Sequence, residues 1–441
     1  MIHRMMTSPQ PTSTVQPIRI ARIIDRLNIG GPAKHVVWLT SELNFDEYET
    51  TLITGTVPEG EGDMSYFAHE AGVAPIIIKE MSREVGPGDV VVIARLLAQL
   101  WKLKPHIIHT HKSKAGATGR IAAFIYKWMT PSILWLRPRE CYIVHTFHGH
   151  VFHGYFGKAK TNFFIFVEKA LARICTDRIV VISEQQREDI CERFGVGRKD
   201  QFAVIPLGID LEEVNANGSH VSLRKEFGIA PDEIIIGAVG RLCEVKNYAL
   251  LIQAAARLMQ NAAAALKLRL VIVGDGHLRR EIETLASELR ISERVIFTGF
   301  RDDAAALYPE FDFVALTSLN EGTPLTLIEA MSKGLAVAAT EVGGVVDIMG
   351  ARQTRSNGSN GFTIWEHGVT AQSCDVEGFA SAMRFLIERP ELRKEMGERG
   401  CAFVQTRLSK QRLVRDIKHL YCGLLGIHTT PSPVTETVVS S

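Results

Sequence analysis

Two carboxylates, Glu321 and Glu329, stand eight positions apart in the run Asn320-Glu321-Gly322-Thr323-Pro324-Leu325-Thr326-Leu327-Ile328-Glu329-Ala330-Met331. The pattern reads as a strand ending near Leu316, a short turn and a helix opening near Pro324. At such a helix start the N–H groups of Thr323, Leu325 and Thr326 have no acceptor within the helix, so the site favours an anion or a hydroxyl. Glu329 falls inside an apolar helix face, where a carboxylate without a partner is costly. Vicinal sugar hydroxyls suit it, because one carboxylate accepts two O–H bonds. A helix cap for Glu321 and a core ion pair for Glu329 are the structural alternatives.

A second group of charges follows another strand. Arg241-Leu-Cys-Glu-Val-Lys246-Asn247 places two cations at the carboxyl end of Ile234–Val239. Arg as a fork and Lys as a point charge can grip one diphosphate. The alternative is a solvated loop with ordinary surface charges.

The elements that must position these residues alternate. Strands are expected at 18–24, 50–53, 74–78, 107–109, 143–147, 179–182 and 202–205, with helical patterns between most of them. The alternation restarts with strands at 234–239, 268–273, 295–297, 313–316 and 336–339, and helices at 248–261 and 277–289. Strands alternating with helices imply parallel sheets covered on both faces. The fold class expected is α/β, with two Rossmann-like doubly wound domains facing across a cleft, since such domains bind ligands at the carboxyl ends of their strands. The boundaries expected are a flexible tail 1–16, an acceptor domain 17–210, a nucleotide-sugar domain 211–405, a C-terminal helix 406–428 crossing back to the first domain and a flexible tail 429–441. Three helices are expected within 374–425.

Bulk properties narrow the class. The 441 residues are 46% hydrophobic and 22% charged with a net charge of +1, an ordinary globular balance that does not suit a dedicated nucleic-acid binder. Seven widely spaced cysteines without a C-x-x-C give neither a disulfide framework nor a zinc site, and a reduced, cytoplasmic setting is expected. The first 16 residues lack an apolar signal core, and no run is long and apolar enough to span a bilayer. There is no full G-x-G-x-x-G, so a nicotinamide cofactor is not indicated. No D-x-D occurs, so no metal ligand set and no metal requirement are expected.

The frame E-G-T-P-L-T-L-I-E-A-M closely resembles the signature of family-4 glycosyltransferases, which have the GT-B fold. Gly30-Gly31 with His35-Val36 resembles their N-terminal glycine loop, and His145-Thr-Phe-His148-Gly-His150 their histidine-bearing loop. Arg241 with Lys246-Asn247 matches their diphosphate pair, and Gly343-Gly344 their second glycine pair. The likeness runs from Ile18 to about Tyr421. Val346 and Asp347 depart from the family's usual Pro and Glu, and an insertion-like run, 352–360, follows.

The resemblance implies a retaining transfer of a sugar from a nucleotide diphosphate sugar, UDP-linked, to a glycan or a polyprenyl-diphosphate-linked acceptor in polysaccharide or glycoconjugate synthesis. It implies that Arg241 and Lys246 hold the diphosphate, Glu329 the ribose hydroxyls and Glu321 hydroxyls of the transferred sugar. The backbone across Gly322, Thr323, Pro324 and Leu325 would support that sugar or its phosphate through its amides. Gly30 and Gly31 would let the backbone approach the diphosphate, His148 would sit near the reacting sugar, and Phe300 and Arg301 would lie close to the base. A nucleotide-sugar epimerase or hydrolase on the same fold, and a non-catalytic sugar-nucleotide-binding subunit, are the alternatives.

The acceptor side rests on 102–160, which holds ten Lys and Arg residues against one carboxylate, Glu140, interleaved with Phe124, Tyr126, Trp128 and Trp135. A basic, aromatic stretch suits an anionic membrane face or a lipid diphosphate. Contact with the cytoplasmic face of a membrane is therefore expected; a buried helix and strand with solvated lysines is the alternative.

Overall fold

A computed structural model describes residues 16–28, 30–44, 47–58, 62–81, 86–131, 137–149, 158–212, 222–261, 267–355 and 361–427. The expected tails (all but residue 16), the aromatic run 133–136, His150, residues 213–221 and the end of the insertion-like run lie outside the described residues. The chain divides into two compact units, 1–145 and 146–441.

The first sheet has seven strands: β1 (Ile18–Ile23), β2 (Tyr48–Thr54), β3 (Ile76–Ile77), β4 (Ile107–His111), β5 (Tyr142–Phe147), β6 (Arg178–Val181) and β7 (Phe202–Val204). Their order is β3-β2-β1-β4-β5-β6-β7. β1 pairs in parallel with both β2 and β4, so the direction of winding changes beside β1. The helices here are α1 (Gly31–Glu42), α2 (Ser65–Glu70), α3 (Asp89–Leu103), α4 (Ser113–Trp128), α5 (Lys158–Ile174) and α6 (Glu184–Arg187).

The second sheet has eight strands: β8 (Ile234–Val239), β9 (Leu268–Val273), β10 (Val295–Gly299), β11 (Phe313–Leu316), β12 (Val337–Thr340), β13 (Arg352–Arg355), β14 (Phe362–Trp365) and β15 (Gly368–Ala371). Its order is β10-β9-β8-β11-β12-β15-β14-β13. The helices are α7 (Leu223–Glu226), α8 (Tyr248–Asn261), α9 (Arg279–Glu288), α10 (Ala304–Leu307), α11 (Leu325–Ser332), α12 (Val345–Ile348), α13 (Val376–Ile387), α14 (Pro390–Arg407) and α15 (Lys410–Leu425).

Alternate side chains of β8, β9 and β11 enter opposite cores. Ile236, Leu270 and Phe313 pack with α8 and α13 on one face. Ile235, Val271 and Val314 pack with Leu327 and Ile328 of α11 on the other. Burial on both faces is why these strands read as nearly continuous apolar runs.

The second sheet corrects the sequence reading in one respect. It does not end as a purely parallel sheet at β12. β15 pairs with β12 in parallel, and β14 and β13 then add antiparallel strands. Residues 352–355, read as part of an insertion, are the edge strand. β13 is wholly polar and β14 and β15 each carry a central Thr, so they show little apolar pattern. The three expected C-terminal helices are present, and α15 docks on 206–210: Arg412 donates to the carbonyls of Pro206 (2.7 Å) and Leu207 (2.9 Å), and Lys410 pairs with Asp210 at 2.7 Å.

Candidate active site

In the second sheet β8 and β11 are neighbours, with Phe313 opposite Ile236. β9 and β10 follow on one side of β8, while β12 follows β11 on the other. This is a topological switch point, where the loops leaving two adjacent strands diverge and open a crevice. The loop after β8 carries Arg241 and Lys246. The loop after β11 carries Ser318 and Glu321. Sheet order therefore brings together residues about 75 positions apart in sequence.

The two loops are laced by backbone and side chains. Leu319 N donates to Val245 O at 2.8 Å, and Thr317 Oγ1 donates to Lys246 O at 3.1 Å. Between them Lys246 Nζ lies 2.6 Å from Glu321 Oε1, and Ser318 Oγ donates to the same oxygen at 2.5 Å. Thr340 Oγ1, at the end of β12, donates to Ser318 O at 2.6 Å. Glu321 is thus no helix cap: α11 begins after Pro324 with no side-chain cap at all. Its first turn remains available to a ligand, and Thr326 Oγ1 is buried with no hydrogen-bond partner among the described residues.

Glu329 lies in α11, half-buried, and accepts a hydrogen bond from Tyr308 Oη at 2.8 Å. Burial, then the Glu329 charge, push the Tyr308 phenol well above its ordinary range, so it is held as a donor. Tyr248, buried behind Lys246, donates to Gly240 O at 3.2 Å; burial, then Cys243 and Glu321, raise its phenol too.

Close backbone approach shapes the crevice. A Cβ on Gly344 would lie 1.8 Å from Gly322 O, and one on Gly343, whose φ is +49°, 2.0 Å from Glu321 O. The second glycine pair is therefore what lets the loop after β12 press on the Glu321–Gly322 turn, where Gly344 N donates to Glu321 O at 3.2 Å. Gly322 is confined as well: its Cβ would meet His148 O at 3.0 Å and Gly149 Cα at 3.3 Å. The structure thus sets the backbone of the histidine loop directly against the Glu321 turn.

The Arg241 loop has a support of its own. Leu242 N donates to Asp275 O at 3.0 Å, and a Cβ on Gly274 or Gly276 would fall 2.1 Å from Gly240 O or 2.2 Å from Leu242 O. The Arg241 side chain is exposed and has no ion-pair partner among the described residues.

Other expected site residues sit differently. Phe300 is 72% exposed. The Arg301 guanidinium is occupied by Asp303 at 2.7 Å and Glu226 at 2.9 Å, and the Asp303 hydrogen bond is the first cause that raises its pKa. Gly30 and Gly31 belong to the other unit, where Gly30, at φ +152°, precedes the first turn of α1 and Pro32 follows. Sequence reasoning passed over Ser318, Thr340 and Tyr308. Hydroxyls at the carboxyl ends of strands were the available signal for the first two; nothing local marked Tyr308.

In the stretch 102–160 the cations divide. Arg120 is buried and donates to Gly116 O at 2.8 Å. Lys112 pairs with Asp25 at 3.0 Å and Lys114 with Asp89 at 2.8 Å. Lys102, Lys104 and Arg137 are left towards solvent, whereas Arg139 is half-buried and donates to Tyr126 O at 3.0 Å. No helix among the described residues is long and apolar enough to cross a membrane.

Two family descriptions match the chain side by side: "Glycosyltransferase Family 4" over residues 29–213 and "Glycosyl transferases group 1" over residues 221–402. The UDP-Gal:alpha-D-GlcNAc-diphosphoundecaprenol alpha-1,3-galactosyltransferase of Escherichia coli is 30% identical over 258 residues, which cover 58% of this chain and 63% of that one. The N-acetylgalactosamine-N,N'-diacetylbacillosaminyl-diphospho-undecaprenol 4-alpha-N-acetylgalactosaminyltransferase of Campylobacter jejuni is 28% identical over 262 residues, 58% of this chain and 64% of that one. The chain thus spans somewhat less than two thirds of the length of either relative. Among solved structures, a Rickettsia africae glycosyltransferase superimposes with a TM-score of 0.72 at 16% identity, over 93% of this chain and 99% of that one. HepE of Anabaena, in complex with UDP, superimposes with a TM-score of 0.71 at 19% identity, over 92% and 100%. These likenesses bear on the fold alone, and together with the family matches they lead to one conclusion: the chain belongs to the family-4, group-1 glycosyltransferases and has their GT-B fold.

Proposed function

We propose that the protein transfers a sugar, with retention at the anomeric carbon, from a UDP-sugar to a glycan carried on a polyprenyl diphosphate. The observation that carries the reading is the Lys246–Glu321–Ser318 cluster at the switch point of the second sheet, beside the exposed Arg241. The two relatives described above are named for diphosphoundecaprenol acceptors, and one for a UDP-sugar donor, which supports the same classes here.

Arg241 and Lys246 take the diphosphate, Glu329 the ribose hydroxyls and Glu321 the hydroxyls of the sugar. The bond from the anomeric carbon to the phosphate oxygen breaks as the bond from the acceptor oxygen forms on the same face. The acceptor proton passes to an oxygen of the departing diphosphate. Negative charge grows on that diphosphate, and cations fixed beside it supply the largest catalytic term. In this reading they do so without a metal, so a chelator leaves the rate unchanged. The pathway is polysaccharide or glycoconjugate assembly at a membrane surface, with the solvent-facing cations of 102–160 meeting anionic lipid.

The test is a panel of UDP-sugars incubated with and without a polyprenyl-diphosphate-linked saccharide, with products identified by NMR. Acceptor-dependent formation of an α-linked product from an α-linked donor is expected. Donor consumption at the same rate without acceptor would replace this reading with a hydrolase or epimerase.

A further inference from the structure

Helix α5 packs its inner side on the first sheet: Ile165 and Ala172 join Phe147, Ile179, Val181, Ile190 and Val196 in one apolar cluster. Leu171 is buried as well. Its opposite side nevertheless carries a second apolar stripe. Phe163 is 61% exposed, Phe166 69% and Ile174 62%, and with Ala170 they fall at helical positions i, i+3, i+7 and i+11. Single exposed apolar residues are common on protein surfaces, but large ones aligned along a helix mark an interaction face. Along one edge of the stripe, at the matching spacing, run Lys169 and Arg173, both exposed and neither ion-paired among the described residues. The one carboxylate of the helix, Glu168, is buried and turned away from this face.

We propose that the outer face of α5 is a membrane-docking surface that inserts Phe163, Phe166 and Ile174 among the headgroups of an anionic bilayer. Charge complementarity selects this occupant. An apolar stripe edged by cations lies flat in an anionic interface, its rings below the headgroups and its cations at their level. An antiparallel contact with a second copy is disfavoured, because that two-fold sets the Lys169 and Arg173 edge against its own image. The inference rests on the reading of a lipid-borne acceptor. It adds a second contact, formed by residues 163–174 beyond the basic stretch 102–160.

The experiment is flotation of the full chain with phosphatidylglycerol-containing vesicles and with pure phosphatidylcholine vesicles. Wild type should float with the anionic vesicles only. F163S/F166S should weaken that binding by roughly tenfold or more, from the apolar area withdrawn, and K169E/R173E should weaken it comparably. Both should keep the wild-type melting temperature and its shift with UDP. If F163S/F166S is poorly folded, K169E/R173E, which changes only exposed charges, decides. Wild-type flotation by K169E/R173E overturns the proposal, as does loss of flotation only in K102E/K104E. It also fails if wild type stays with the soluble fraction, or if it self-associates without lipid and F163S/F166S abolishes that association. A UDP shift that persists while flotation fails separates this failure from failure of the donor reading.

Discussion

Lys246 and Glu321 form an ion pair, 2.6 Å from Nζ to Oε1, across the crevice between the loops that follow β8 and β11. Both side chains are mostly shielded from solvent, at 20% and 12% exposure. Under the proposed donor reading, an incoming diphosphate would compete with Glu321 for the same ammonium, and the freed carboxylate would become an acceptor for sugar hydroxyls, so that phosphate and sugar recognition would be coupled through one contact.

Replacement of Lys246 by Ala should lower kcat by about 10²-fold, since one fixed charge on the leaving group is worth on the order of 3 kcal/mol. Glu329→Ala should be similarly damaging, but chiefly through donor KM. Single-turnover kinetics separate the two effects; a wild-type kcat/KM in either variant refutes the site assignment.

Ser318→Ala removes the hydroxyl that holds Glu321 Oε1 at 2.5 Å. A hydrogen bond to a charged group is worth about 1.5–3 kcal/mol. The expected loss in kcat/KM is about tenfold or more, with the fold preserved, and Ser318→Thr should recover part of it. A thermal melt with and without UDP-sugar gives the check.

Tyr308→Phe leaves Glu329 without the phenol at 2.8 Å. Donor KM should rise several-fold with little change in kcat, because the ribose is held alike in ground and transition states. An equal fall in kcat with KM unchanged would instead place Glu329 at the reacting centre.

Gly344→Ala puts a methyl 1.8 Å from Gly322 O. Backbone must move, and overpacking of this kind costs about 1–3 kcal/mol. The Glu321 turn is what moves, so activity should fall further than stability. Comparing the midpoint of urea unfolding with kcat/KM tests this disproportion.

Alkali should destabilise the protein above the ordinary tyrosine pKa of 10.0, because Tyr308 and Tyr248 are both raised in the fold. The sign follows from linkage. A raised native pKa means that the unfolded chain releases the proton first, so the stability contribution is intact below 10.0 and is lost as pH climbs past it. Tyr308→Phe should flatten part of that fall in a pH series of melting temperatures.

The sequence alone determined a good deal. Apolar runs such as Ile234–Val239 and Leu268–Val273 mark buried parallel strands, because burial on both faces leaves no polar register to hide them. Glycines and carboxylates at strand–helix junctions mark the crevice, because those junctions are where backbone N–H groups are unspent. The strands β13 to β15 escaped notice because, unlike the equally short but apolar β11, they are interrupted by Arg, Gln or Thr.

Tertiary structure alone decided who meets whom. Nothing local pairs Lys246 with Glu321; they meet because β8 lies beside β11 and their following loops share one end of the sheet. Nothing local assigns Tyr308 to Glu329, or gives Gly343 and Gly344 the task of admitting the Glu321–Gly322 backbone. Nor does a helix pattern tell which of its two apolar sides, on α5, faces the core. Local pattern fixes what a segment can become, whereas sheet order and close packing fix the partners that turn its residues into a site.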